Sequence, residues 1–306
     1  MFNNFILYRI LGNDLPPRHR LSQTLENLQF ILEYEPCLSA CEKRWIVNRI
    51  VNEEEEKAAI TLLENYHQKY IHIPFIKQEY SSIDFDFQCF SQSDYFHTEE
   101  YQQLSEEMQA RAIDRTYHDK ILYTMNINAC RNAALQEGRS LAKWVMPWDG
   151  NCFLTESAWE QILKGVETCE KMKYLVVPMT RVVNNKDLLR QNFEPRAVEE
   201  PQIIFRQDAR EEFNEMLRYG HYSKIELLWR IRVPGYWDAW QWDPWDNLDW
   251  QESPEAGKFK SVGWVARLFS GVKECEQDAK NRAQLRRQGI RNFLDNLDDE
   301  LGVSAK

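Results

Sequence analysis

An acid, a glycine and an amide stand side by side at Asp149-Gly150-Asn151, directly after the apolar stretch that ends in Pro147-Trp148. A hard divalent cation on a diphosphate is typically held by one or two protein oxygens, and an Asp-x-Asn turn at a strand end can supply them. The same residues also make an ordinary β-turn, so the pattern alone leaves both readings open. Polar side chains follow two other apolar runs in the same manner. Arg9, Asn13 and Asp14, with Arg18 and His19 beyond, come after Phe5-Ile6-Leu7-Tyr8, and Asn48 and Arg49 come after Trp45-Ile46-Val47. In open α/β sheets a ligand sits in the crevice beyond the carboxyl ends of the strands, which makes these residues the expected binding site. Arg9, at a strand end, is the candidate for holding phosphate.

Periodicity supplies the elements that must position them. After the first strand, Leu25, Leu28 and Ile31/Leu32 recur at helical spacing until Pro36. Asn52 followed by Glu53 to Glu56 is a helix start, because carboxylates in a first turn complement its partial positive charge. That helix reaches about residue 68, and Tyr70-Ile71-His72-Ile73 is the third strand. Residues 77–124, aromatic and acidic and then polar, break the rhythm and are expected to cover one edge as an insertion. The rhythm resumes with a helix over 126–137 capped by Gly138, a strand over 143–147, a helix N-capped by Thr155 and a strand over 174–178. Such alternation predicts a Rossmann-like α/β core over residues 1–180, with a mostly parallel central sheet and helices on both faces. Residues 181–306 are irregular, with a strand at Ile203-Ile204-Phe205, a helix over 225–231, a Trp-rich segment and terminal helices over 274–301. Phe293, Leu294 and Leu297 are expected to dock those helices on the body, and no linker or repeat separates the two halves.

Asn128 to Gly138, carrying Arg131-Asn132, and then Trp144 to Thr155, carrying Asp149, together resemble a signature of the family 2 glycosyltransferases. In that signature an Arg-Asn pair on a helix precedes the strand bearing a metal-binding Asp-x-Asp motif. The resemblance extends over roughly the first 180 residues in strand and helix order, and its motifs over about thirty. It implies a type A glycosyltransferase fold, a nucleotide diphosphate sugar as donor and Mn2+ or Mg2+ at Asp149, with Arg131 and Asn132 near the sugar or diphosphate. Asn151 stands where the motif has its second Asp, which keeps an oxygen ligand but removes a charge. In inverting members an acidic pair ahead of a Glu-Leu and Arg helix supplies the general base. The comparable stretch here is Ser223 to Arg230, with Lys224 at the position of the base. Glu226 is the nearest carboxylate, and its alternative role is a helical ion pair with Arg230 at i+4. His221 would complete the metal shell, as a C-terminal histidine does in some type A enzymes, or lie at the surface. Tyr236, Trp237, Trp240, Trp242, Trp245 and Trp250, interleaved with Asp238, Asp243, Asp246 and Asp249, could line an acceptor groove or serve as core.

Composition narrows the partners. With 306 residues, 43% of them apolar, the chain can close a sizeable core, and no window approaches the roughly 18 apolar residues of a membrane helix. Met1 to Arg9 lacks the pattern of a secretory leader, so a cytoplasmic location is expected. The net charge of -10 disfavours nucleic acid and anionic membrane while leaving room for a local basic pocket. Seven widely spread cysteines read as reduced thiols, and Cys37 and Cys41 have neither the spacing nor the second pair of a common zinc site. Two rival readings stay open. A sugar-phosphate nucleotidyltransferase would need a Gly-rich basic loop where this chain has Gly12-Asn13-Asp14, and a non-catalytic carbohydrate- or nucleotide-binding protein would explain Lys224 and Asn151. No G-x-G-x-x-G supports a dinucleotide oxidoreductase.

Overall fold

Strand β1 (Phe5–Leu11) is buried at every position, and successive residues enter different cores because side chains alternate across a pleated strand. The computed structural model describes residues 4–169, 171–239, 242–246, 251–272 and 279–303. Along the chain, α1 (Gln23–Tyr34), β2 (Cys41–Asn48), α2 (Glu53–Asn65) and β3 (Lys69–Ile73) follow β1. Four helices occupy the interruption: α3 (Lys77–Ser81), α4 (Glu99–Gln102), α5 (Glu106–Thr116) and α6 (His118–Thr124). Then come α7 (Ile127–Leu141), β4 (Trp144–Asp149), β5 (Cys152–Phe153), α8 (Glu156–Glu167) and β6 (Tyr174–Arg181). Beyond them lie β7 (Ala197–Arg206), α9 (Ile225–Arg230), β8 (Phe259–Ser261), β9 (Val265–Arg267) and α10 (Ala279–Leu301).

The strands form one sheet in the order β3-β2-β1-β4-β7-β6-β9-β5, with β8 beside β6. β3, β2, β1 and β4 are parallel neighbours, whereas β7 runs against both β4 and β6, and β5 runs against β9. The α/β class holds, but the sheet is mixed and strongly curled, not the mostly parallel Rossmann-like sheet that the alternation predicts. The reason lies in the connection from β6 to β7. It contains only a short 3-10 turn, Asn185–Leu189, instead of a helical crossover, so the chain turns back antiparallel. β7 also begins beyond residue 180 yet sits between β4 and β6, so the sheet runs through both halves of the chain. Because β6 and β9 again run with β4, the carboxyl ends of β1, β2, β4, β6 and β9 meet the amino end of β7 along one edge.

Helices cover both faces. Leu28 and Ile31 of α1, Ala59 and Leu63 of α2 and Trp159 and Ile162 of α8 pack with Phe5, Leu7 and Leu11 on one side. Cys130, Ala134 and Leu135 of α7 pack with Ile6, Tyr8 and Ile10 on the other, together with Leu227 and Leu228 of α9. The start signals act as expected, since Asn52 accepts from the amides of Glu54 and Glu55 and Thr155 from that of Ala158. Gly138 is not a cap. The helix continues to Leu141, and Gly138 lets it close on the sheet, where a Cβ would lie 2.6 Å from a Val145 methyl. Among the described residues no helix is long and apolar enough to cross a membrane.

The interruption at 77–124 does more than shield an edge. Tyr80, Ile121 and Met125 share a core with Leu15 and with Ile290, Leu294 and Leu297 of α10, which confirms the docking surface expected of that helix. Asp298 accepts from Tyr80 at 2.7 Å and from the buried Lys120 at 2.8 Å, and Arg291 bonds Asp114 at 2.6 Å. In the same segment Phe90 stacks on Tyr95, meets Phe96 edge-on and packs at a tilt against Trp245.

Arg9 is not a phosphate ligand in this arrangement. Its place in the pleat sends the side chain into the core under α1 and α8, where it is fully buried, 5.4 Å from the Trp45 ring. It donates to the Cys152 carbonyl at 2.8 Å and to the buried carboxylate of Glu35, which also accepts from the Leu154 amide at 2.9 Å and from Lys43 at 3.3 Å. Removing one partner of a buried ion pair strands the other charge, at a cost of about 3–5 kcal/mol. Glu35→Ala is therefore expected to lower the unfolding free energy by about that amount in urea titrations followed by circular dichroism. An unchanged midpoint would mean that Arg9 is satisfied by something other than Glu35.

Candidate functional site

Along the shared edge the sheet opens into a cavity of about 650 Å3, a size usual for small-molecule sites. Among the described residues six Arg and Lys side chains line it (Arg131, Arg181, Lys224, Arg267, Arg282 and Arg286) against four carboxylates (Asp14, Asp149, Glu199 and Glu200). The described lining thus carries an excess of two positive charges, inside a chain whose net charge is -10. An anionic ligand is the chemistry such a lining selects.

Asp149 ends β4 and faces this cavity. The turn that presents it is forced tight against β1, because a Cβ on Gly150 would lie 2.3 Å from the Ile10 carbonyl oxygen. One carboxylate oxygen accepts from Arg131 at 2.6 Å and the other from the Gln202 amide at 2.9 Å. Burial pushes the Asp149 pKa up, but Lys224, Arg131, Arg267 and the Gln202 bond outweigh it and hold the carboxyl well below its usual range. Arg131 is itself aimed by Asn128, to which it donates at 2.9 Å, and by the Phe213 ring 5.0 Å away.

The other residues expected at the site divide into two groups. Asn13, Asp14, Asn48 and Asn151 line the cavity with Asp149 and Arg131. Asn13 spends its side chain on the loop after β2, donating to the Arg49 carbonyl and accepting from the Val51 amide, both at 2.8 Å. The Asn48 side-chain Oδ1 is buried and has no hydrogen-bond partner among the described residues, so a ligand donor can use it. Arg49, Asn132, His221 and Glu226 do not line the cavity. Arg49 lies on the Tyr123 ring at 4.7 Å. Asn132 clamps the 213–215 loop, bonding the backbone of Phe213 in both directions at 2.9 Å and Glu215 at 2.8 Å. Glu226 takes the structural alternative, an i+4 pair with Arg230 at 2.8 Å, and burial raises its pKa.

His221 joins a different group. Its Nε2 lies 2.8 Å from Asp246 and 3.8 Å from Asp243, and the three candidate ligand atoms fall within 4.8 Å of one another. Arg111 already holds Asp243 at 2.5 Å, and burial together with Arg218 pushes the His221 pKa down to about 4. The histidine is thus neutral and part of a buried ion-pair network, away from Asp149. Two tryptophans of the 236–250 segment are likewise structural. Trp237 is buried and donates to the Val233 carbonyl at 2.7 Å, Trp245 is buried against Phe90, and among the described residues of the expected aromatic groove only Tyr236 lines the cavity. Trp240, Trp250 and Asp249 lie outside the described residues.

A divalent ion does not suit these surroundings. It would compete with Arg131 and Gln202 for the Asp149 oxygens, it would enter the field of Lys224 and Arg267, and His221 is not there to ligate it. Lys224, Glu199, Glu200, Arg267 and Arg286 complete the cavity instead, and Gln202 supports Asp149 from beneath it. Only Lys224 stood out in sequence. Glu199-Glu200 reaches the site because β7 is reversed, and Arg286 lies on a helix whose polar pattern distinguishes none of its arginines. No protein-family model matches the sequence, and no curated protein is significantly similar to it.

Two titrating groups flank the charged edge. His19 is pushed down to about 3 by burial and by Arg18, Arg267 and Arg286; its Nδ1 accepts from the Leu15 amide at 3.3 Å, so the proton sits on Nε2. Burial raises the Asp14 carboxyl to about 6, against bonds from the Thr24 amide and hydroxyl that lower it. With a folded pKa above the unfolded one, Asp14 favours the folded state most at low pH, and this contribution falls as pH rises from about 4 to about 6. Asp14→Asn should therefore gain stability relative to the wild type between pH 4.5 and pH 7 in paired urea titrations. A difference that does not change with pH would place the Asp14 pKa at its ordinary value.

Proposed function

We propose that this protein transfers a sugar from a nucleotide diphosphate sugar to a hydroxyl of a glycan, small molecule or protein. One observation carries the reading: an ionised strand-end Asp149, locked to Arg131, faces a cavity with a surplus of positive charge where β1, β2 and β4 end. The diphosphate supplies the negative charge that this lining selects, and the Asp149 and Asn48 oxygens can accept from sugar or ribose hydroxyls.

In the transfer the acceptor oxygen bonds to the anomeric carbon, the bond from that carbon to the diphosphate oxygen breaks, and the nucleoside diphosphate leaves with the electron pair. Lys224 and the arginines offset the charge that develops on the leaving group. The acceptor proton needs a base. Asp14 fits better than Glu226, since it lines the cavity, is unpaired with any cation among the described residues and has a pKa near 6. The competing reading, binding without turnover, draws on the same cavity and on Asp149 being held by its own side-chain partners.

A panel of nucleotide diphosphate sugars separates the two. A donor at about a hundred times its dissociation constant adds about 2.7 kcal/mol, seen as a rise in melting temperature. One donor is expected to stabilise the wild type, Asp149→Asn to lose most of that shift, and Asp14→Asn to keep the shift while losing donor hydrolysis and transfer. Stabilisation with no turnover in the wild type favours the binding protein, and no stabilisation by any donor ends the transferase reading.

A further inference from the structure

Among the described residues the carboxylates of the cavity account for four of its six cations. Arg131 pairs with Asp149 at 2.6 Å, Lys224 with Glu200 at 3.0 Å, and Arg181 and Arg282 with Glu199 at 2.8 and 3.5 Å. Arg267 and Arg286 are left. Each has a buried Nε with no hydrogen-bond partner among the described residues, and neither meets a carboxylate there within ion-pair distance. Leaving a buried guanidinium N–H unsatisfied is costly, so the pair is poised for an anion closer than the described carboxylates, of which Asp149 and Glu200 act on Arg267 only from beyond ion-pair distance.

The two arrive from unrelated elements. Arg267 ends β9, which pairing with β6 directs to the ligand edge. Arg286 comes from α10, lies over the Tyr219 ring at 5.7 Å, and is held in place because Gly289 brings α10 so near Leu15 that a Cβ would lie 2.5 Å from its carbonyl oxygen. Both guanidiniums act on one group, the neutral His19, which locates them on the same wall. We propose that Arg267 and Arg286 grip the diphosphate directly and take the place of a divalent metal, so that donor binding is metal-independent. This rests on the transferase reading above and deepens it. Guanidinium forks match phosphate oxygens two at a time, which a single ammonium cannot do, and two forks of fixed position suit two linked phosphates.

Isothermal titration of the full chain with inorganic pyrophosphate and with a panel of nucleoside diphosphates, in EDTA and then in Mn2+, tests this. Binding is expected in EDTA, with Mn2+ changing the nucleoside diphosphate affinity by less than about threefold. Arg286→Gln and Arg267→Gln should each weaken binding about tenfold or more, as expected on loss of a charged hydrogen bond, and Arg286→Lys should fall between. Circular dichroism and melting temperature like those of the wild type show that a variant still folds, and Arg286, on the more open helical wall, keeps the test usable if Arg267→Gln does not. Binding that appears only with Mn2+, or that survives both Gln variants unchanged, overturns the metal-independent grip while leaving the transferase standing. No binding of any nucleoside diphosphate, with metal or without, takes down both.

Discussion

Gly150 lies so close to β1 that nothing larger than hydrogen fits between its Cα and the Ile10 carbonyl, and the parallel register puts Ile10 opposite Asp149. Close packing of the turn against the neighbouring strand fixes where the Asp149 carboxylate points. Arg131 can then reach it from α7 only because α7 is itself drawn onto the sheet at Gly138, where a side chain would strike Val145 and Ile6. Two contacts that exclude a Cβ therefore set the geometry of one ion pair. The cavity is built outward from that pair.

Electrostatics explains why the pair survives in a half-buried place. A carboxylate removed from water would be expected to take up a proton, and burial does act in that direction on Asp149. Three cations and an amide reverse the outcome. The reversal needs the sheet topology, since Arg267 reaches the site through the parallel pairing of β9 with β6, and Gln202 through the antiparallel placing of β7 beside β4. A mostly parallel sheet would turn the amino end of β7, with Glu199 and Glu200, to the opposite edge. The cations would then lack their carboxylates and repel one another more strongly.

What could be read from sequence follows from how local the cause is. Asn52 and Thr155 cap helices by bonds within three residues, and runs of apolar residues put the ends of two strands at 47 and 147, within two residues of their ends at Asn48 and Asp149, so these are legible. Arg9 was misplaced because a run of apolar residues tells that a strand is buried but not which face is core, and here both faces are. Glu226 and Asn132 carry the right chemistry at the right spacing, yet their polar atoms are consumed by Arg230 and by the 213–215 loop. His221 found partners 22 and 25 residues away, at Asp243 and Asp246, before it could approach Asp149. Each of these outcomes depends on competition for a partner, which spacing does not encode.

The interruption at 77–124 shows the same dependence at longer range. By itself the segment is a set of short helices with a small aromatic core. Its buried Lys120 and Tyr80 both converge on Asp298, and Asp114 takes Arg291, so that α10 is held by ion pairs at two points along its length. Breaking either point would not disturb Asp149, which belongs to the sheet. It would free the opposite wall, because Arg282 and Arg286 lie on the same helix one to four turns earlier and reach the cavity only while α10 stays docked. The residues that hold this helix to the inserted segment, Tyr80, Asp114 and Lys120, are thus more than 150 positions distant from Arg282 and Arg286 in the chain. A rigid helix carries the constraint from the inserted segment to the cavity.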